Sequence, residues 1–236
     1  MSSPALSQPL KPEAFGELFP LFKSASPETL KAIQEASIIS DCPAGRTVLM
    51  EDSWGNAVYL IISGWAKVRC QSGNGYVTLV ILGKGEFFGE MAVLNESPRS
   101  TDVAALSGVE LVSIPAQLFL KALFNDPQLH HRLLQLMVQR LKQTQTRFQL
   151  RNKAPGIKLV YTLVGLGDAY GDVKGDAIEI FNIPETDLAA IADIPLPDVP
   201  KIMNKLAKRN WLTVDTQANV IRLLDMKSLR HLSKLG

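Results

Sequence analysis

The stretch FGEMAVLNESPRSTDV, residues 88–103, decides how the rest of the chain is read. FGEMAVL is long enough for one or two helical turns, begun through Gly89. A helix start offers free backbone N–H groups and the positive end of a dipole, which suits an anion. Arg99 follows Gly89 by ten residues, and Ser100 adds a hydroxyl and another N–H. Glu90 supplies a carboxylate. An arginine, a helix start and a hydroxyl can hold a phosphate, and a carboxylate can accept from a sugar hydroxyl. The set Gly89, Glu90, Met91, Ala92, Arg99 and Ser100 therefore fits a sugar phosphate whose two groups lie close together. The other reading is a buried Glu90–Arg99 ion pair in a domain that binds nothing.

The residues before this stretch read as a β-domain. VYLIISG, AKVRCQ and YVTLVIL are short β-branched or aromatic runs, and SGNG makes a hairpin turn between the last two. Several strands at such close spacing suggest a small barrel or jelly roll, with a ligand pocket at its mouth. Earlier, PEAFGELFPLFKSASPETLKAIQEAS holds two short helical patterns. In the second, Ser26 is an N-cap, Pro27 sits at N1, and Leu30, Ile33 and Ala36 recur at helical spacing. The lead MSSPALSQPLKPEAF has no apolar core behind a basic start. It reads as a short disordered segment rather than a secretory signal.

These motifs resemble a known domain. FGEMAVLNESPRSTDV looks like the phosphate-binding cassette of cyclic-nucleotide-binding domains, whose core is Gly-Glu, a short helix, then Pro-Arg and a small residue. GRTVLMEDSWGNAVYLIISGWAKV is similar to the strands that precede that cassette. The resemblance implies that Glu90 accepts the ribose 2′-hydroxyl. It implies that Arg99 pairs with the cyclic phosphate, with Ser100 and the Gly89–Glu90 backbone assisting.

NDPQLHHRLLQLMVQRLKQTQTRFQLRNK reads as one long helix, with Asn125 or Asp126 as N-cap and Pro127 in the first turn. It is expected to run ~27 residues, or ~40 Å. Leu134, Met137, Leu141, Thr144 and Phe148 form an a/d stripe that suits a coiled-coil partner, most simply a second copy of the chain. The alternative is a helix packed on its own domain. In the cyclic-AMP receptor branch, to which this helix is similar, a threonine at this point reaches the adenine amino group. QRLKQT places Thr144 there, and Gln145 stands where that branch often has serine. The resemblance therefore implies cyclic AMP ahead of cyclic GMP; no metal is expected, because the residues hold no metal-ligand cluster.

In the last third, GIKLVYTLVGLGDAYG is an apolar helix and AIEIFNI alternates like a strand. PETDLAAIADIPLPDVPKIMNKLAKRNWLTVDTQANVIRLLD then reads helix, turn, helix, hairpin. Thr186 caps a helix through Ala192, Ile202, Leu206 and Trp211 mark a second buried face, and WLTVDTQANVIRLL makes a two-stranded wing. The order resembles the winged helix-turn-helix of the catabolite-activator and fumarate-nitrate-regulator (CRP/FNR) superfamily, so the likeness covers nearly the whole chain. Its recognition helix falls on IADIPLPDVPKIMNKLAKR. Where the cyclic-AMP receptor branch has Ser-Arg-Glu-Thr-Val-Gly-Arg, this chain has Pro195, Leu196, Pro197, Asp198, Val199, Pro200 and Lys201. Leucine and proline carry no donor or acceptor for a base edge. With Pro195 as N-cap, Pro200 would be the fifth residue in and would forfeit a helical bond. A later start, with Asp198 as N-cap, is favoured. The expected DNA-binding residues are Lys201, Asn204, Lys205 and Lys208. From Gly156 to Gly236 ten basic residues face ten acidic ones, so the lysines read either as phosphate contacts or as a solvated face.

The bulk numbers fit this reading. The 236 residues are 46% hydrophobic and 20% charged with a net charge of +2, ordinary for a soluble globular protein. No apolar run approaches a membrane span. Cys42 and Cys70 are too few for a disulfide framework or an iron–sulfur site, and read as small buried hydrophobes. His130, His131 and His231 lie away from the β-domain and read as surface or interface residues. No nucleophile–base pair or Walker loop is present, so no enzyme is expected. The expected fold class is α+β. It comprises a β jelly-roll nucleotide-binding domain over 1–124, a dimerisation helix over 125–153 and a winged helix-turn-helix over 154–236. The expected function is a cytoplasmic, dimeric, cyclic-nucleotide-responsive transcription regulator. The alternative is a nucleotide receptor that no longer reads DNA sequence and works through a protein partner. Expected partners are a second copy, DNA, and RNA polymerase or another protein; no membrane partner is expected.

Overall fold

The computed structural model describes residues 12–73 and 75–234. The lead up to Lys11, and Asn74 of the expected hairpin turn, lie outside the described residues. The disordered reading of the lead extended too far, because α1 (Pro12–Leu18) begins inside it. A 3₁₀ turn (Pro20–Phe22) and α2 (Pro27–Ala36) follow, and Ser26 Oγ accepts from the Thr29 N–H as an N-cap. The β-rich part comprises β1 (Ile38–Cys42), β2 (Thr47–Leu49), β3 (Ala57–Ser63), β4 (Ala66–Ser72), β5 (Gly75–Leu82) and β6 (Phe87–Phe88). It continues with α3 (Glu90–Leu94), β7 (Asp102–Ala105) and β8 (Val109–Pro115). Then come α4 (Ala116–Asn125), α5 (Pro127–Leu150) and α6 (Pro155–Tyr170). The last part holds β9 (Asp172–Lys174), β10 (Ala177–Phe181), α7 (Glu185–Ala192), α8 (Asp198–Lys208), β11 (Leu212–Asp215), β12 (Val220–Leu223) and α9 (Met226–Lys234). Three four-stranded sheets run in the orders β1-β8-β3-β6, β2-β7-β4-β5 and β11-β12-β10-β9. The mixed helix-and-sheet class expected from the sequence is the one observed.

By compactness the chain divides into two units: residues up to Ala66 with Leu82–Leu141, and Lys67–Ile81 with Lys142 onward. In the first, β3 pairs antiparallel with β8 from Ala57↔Pro115 to Leu60↔Val112, and β1 covers the other edge of β8. Val58, Leu60, Val112 and Ile114 on this sheet are fully or almost fully buried. They pack with Ile33, Phe119, Leu129 and the mutually packed rings of Phe15, Phe19 and Phe22. Each buried side chain of this size contributes about 1.5–3 kcal/mol. One carboxylate joins two helix starts: Asp126 Oδ1 accepts from the N–H groups of Gln128 and Leu129, and Oδ2 accepts from Ser26 N–H at 2.7 Å. Asp126, rather than Asn125, is therefore the cap of α5.

In the second unit, α6, α7, α8 and α9 surround a core that includes Leu159, Leu163, Ile180, Leu188, Val199, Leu212, Ile221 and Leu229. β11 and β12 form the expected wing. The helix-turn-helix differs from expectation at both starts. Pro184 caps α7, and Thr186 is the second residue of the helix. Pro197 caps α8, so Asp198 is its first residue and Pro200 its third. The late start holds, and it has a physical reason. The N–H that Pro200 lacks is one of the four a helix start leaves unused, so no bond is forfeited. Leu206 is buried, while Ile202 and Trp211 are half-buried. Cys42 and Cys70 are free and also half-buried, less enclosed than expected.

α5 spans 24 residues, about 36 Å. Of the expected stripe, Leu134, Leu141, Thr144 and Phe148 are exposed, and Met137 alone is turned to the core. Val138 is also exposed.

Candidate functional site

The phosphate-type cassette is built where β6 ends. Gly89 takes φ +87°, a left-handed conformation that glycine adopts without strain. This turn sends the chain into the five-residue α3, with Glu90 at its first position. A Cβ on Gly89 would stand 2.5 Å from Arg99 Nη1, so the glycine also makes room for that guanidinium. Gly55 does the same from the opposite side, where a Cβ would meet Ala92 Cβ at 3.0 Å and Arg99 Cζ at 3.2 Å.

Arg99 is fixed through backbone on both sides. Its N–H donates to Ser53 O at 2.8 Å, and its carbonyl accepts from Asp52 N–H at 2.9 Å. The side chain is buried; Nη1 donates to Gly89 O, and Nη2 donates to Ala57 O at 2.7 Å. Arg99 Nε is the buried side-chain polar atom that finds no partner among the described residues. A buried donor left unmatched costs about 1–3 kcal/mol, so such an atom marks a place that an acceptor would complete. Burial holds the guanidinium below its ordinary pKa, opposed by Tyr59 and Glu90.

Glu90 is buried at 3% exposure, yet its partner is not Arg99. Arg140, on α5, donates from Nη1 to Glu90 Oε1 at 2.7 Å. Its Nη2 donates to Glu86 Oε2 at 2.8 Å and to Phe87 O at 2.6 Å, and its guanidinium lies 4.1 Å over the Phe87 ring. The Glu90–Arg99 ion pair weighed from sequence is thus replaced by two separate arrangements. Burial raises the Glu90 carboxyl above its ordinary pKa, with Arg140 and the helix-start N–H pulling the other way and Glu86 adding to the rise. Sequence reasoning missed Arg140, Glu86 and Gly55.

The other expected ligand residues are placed as follows. Ala92 is buried on α3, while Met91 and Ser100 are exposed. Thr144 and Gln145 are exposed on α5. Helical spacing puts Thr144 one turn beyond Arg140 on the same face, and Gln145 on the face of Leu141 and Phe148.

The candidate nucleic-acid face lies in the second unit. Lys201, Asn204, Lys205 and Lys208 are all exposed on α8. Lys201, Lys205, Lys208 and Arg209 rim a groove of about 700 Å³ floored by Val160, Ile202, Leu206 and Leu232. Asp198 lies 3.1 Å from Lys201 and takes up part of that lysine's charge. A second groove of about 860 Å³ is lined by Arg209, Trp211, Asp225, Lys227, Arg230 and Lys234, with Arg230 paired to Asp168 at 2.5 Å. Asp225 starts α9 by accepting from the Ser228 N–H at 2.9 Å. Among the described residues, no helix is long and apolar enough to cross a membrane.

Comparison with known proteins bears on both regions. Residues 39–126 match the family model described as cyclic nucleotide-binding domain. The chain is 23% identical over 205 residues to a CRP-like cAMP-activated global transcriptional regulator of Mycobacterium tuberculosis, covering 85% of this chain and 91% of that protein. It is 28% identical over 196 residues to the cyclic AMP receptor protein of Thermus thermophilus, covering 80% and 86%. A solved CRP/FNR-family transcriptional regulator from Thermus thermophilus superposes with a TM-score of 0.66 at 22% identity, over 84% of this chain and 98% of that one.

Proposed function

We propose that this chain, whose residues 39–126 match the cyclic nucleotide-binding domain model and whose fold resembles that of solved CRP/FNR regulators, is a cyclic-nucleotide-responsive transcription regulator. Cyclic AMP is the proposed ligand, ahead of cyclic GMP. The observation that carries the proposal is Arg99, buried behind Gly89 with its Nε–H unmatched, beside the Glu90 carboxylate. In this reading Arg99 pairs with the cyclic phosphate, assisted by Ser100 and the Gly89–Glu90 backbone, with Met91 and Ala92 completing the turn. Glu90 accepts the ribose hydroxyl, oriented by Arg140. Thr144 supplies the base contact, which its place one turn from Arg140 supports. The chain acts as a homodimer through 125–153, seamed by Leu134, Val138, Leu141 and Phe148. The winged helix-turn-helix over 154–236 meets DNA through Lys201, Asn204, Lys205 and Lys208.

Calorimetric titration with cyclic AMP and cyclic GMP tests the ligand. Saturable heat with cyclic AMP, lost in Arg99→Leu, is expected. Absence of heat with either nucleotide rejects the proposal.

A further inference from the structure

Asp187 is a charged residue at 3% exposure in the first turn of α7, the leading helix of the helix-turn-helix. Among the described residues, its carboxylate is held from the β4–β5 hairpin, which lies in the same compact unit. Lys67 Nζ contacts Oδ1 at 2.8 Å and Oδ2 at 2.9 Å, and Thr78 Oγ1 donates to Oδ1 at 2.5 Å. These partners stand 120 and 109 residues from Asp187 in sequence. Thr78 is itself buried, and the Lys67 side chain is 22% exposed. One residue on, Leu79 O accepts from Arg147 Nη1 of α5 at 2.6 Å. The hairpin is thus gripped by α7 through charge and by α5 through its backbone. α5 is one continuous helix, and Arg140, whose guanidinium holds Glu90, lies two turns before Arg147 on the same face.

We propose that Asp187, Lys67 and Thr78 form a latch between the β4–β5 hairpin and α7, and that making or breaking this latch couples nucleotide binding to the DNA-binding helices. A buried carboxylate is tolerable only while it is paired, so the contact is made fully or given up, which suits a two-state element. The coupling role rests on the regulator reading above; the latch itself does not.

The test uses the full chain and the variants Lys67→Gln and Asp187→Asn. Lys67→Gln changes a partly exposed side chain and leaves the core in place. Hydrogen exchange is followed over 67–81 and 185–192, cyclic AMP affinity by calorimetry, and affinity for a random-sequence duplex pool with and without cyclic AMP. In both variants, exchange in the two segments is expected to rise about tenfold while nucleotide affinity stays near native. The ratio of DNA affinities with and without cyclic AMP is expected to fall about fivefold or more. Unchanged exchange overturns the latch. Faster exchange with an unchanged DNA ratio overturns its coupling role. A native chain that binds no cyclic AMP overturns the regulator reading and the coupling with it, while the exchange comparison still decides the latch.

Discussion

Arg99 spends two of its three nitrogens on backbone carbonyls, so its position is set before any ligand arrives. Preorganised donors of this kind do not have to be reoriented on binding. Gly89→Ala should therefore damage the site twice, through its φ of +87° and through the Arg99 contact. A loss of about 1–2 kcal/mol in stability to urea is expected, with a larger loss of nucleotide affinity. Glu90 gives a pH signature. Its carboxyl pKa is raised in the fold, so its contribution to stability is present at low pH and fades as pH rises through the raised value. Nucleotide binding carries the opposite sign, because the ionised carboxylate is the stronger acceptor. Cyclic AMP affinity should weaken on acidification earlier than an ordinary glutamate would titrate, and Glu90→Gln should flatten that dependence in a calorimetric series. Asp126 behaves in reverse. Burial would raise its carboxyl, but the N–H groups of Ser26 and Leu129 and the hydroxyls of Thr29 and Ser26 outweigh it and lower the pKa. Its stabilisation holds above the ordinary carboxylate range and is lost as pH falls; Asp126→Ala should cost about 1–2 kcal/mol at neutral pH.

At the scale of the element, periodicity finds α5 and most of its exposed apolar face, with Met137 the exception. Leu134, Leu141 and Phe148 fit a stripe with either Met137 or Val138, and only packing separates the two. The difference matters for the seam: Leu141→Glu should give a monomer by sedimentation, whereas Thr144→Ala should leave assembly intact and weaken only nucleotide binding. α8 was legible in its late start, since the spacing of Pro195, Pro197 and Pro200 leaves few workable ones. Its cap was not, because Pro197 caps without any side-chain bond. With leucine and prolines at its start, α8 should grip phosphates more than it reads bases. Lys205→Ala and Lys208→Ala should each reduce the slope of log affinity against log salt by about 1, with little change in sequence preference.

Across the whole molecule, legibility followed sequence distance. The cassette lies within residues 88–103, so its spacing alone singled out Gly89, Glu90, Arg99 and Ser100 as candidates. Arg140 stands 50 residues from Glu90, and Asp187 stands 120 from Lys67. No local pattern announces such pairs, because tertiary packing alone brings them together. β8 and α4 escaped notice for another reason: Val109–Pro115 and Ala116–Asn125 follow one another directly, and a single residue, Pro115, marks the change of period. The central claim is that one ligand governs DNA binding by the whole chain. Its most direct test is selection of bound duplexes from a randomised pool, run with and without cyclic AMP. Recovery of enriched, two-fold-symmetric sites only when the nucleotide is present is the predicted result; identical pools under both conditions would contradict it.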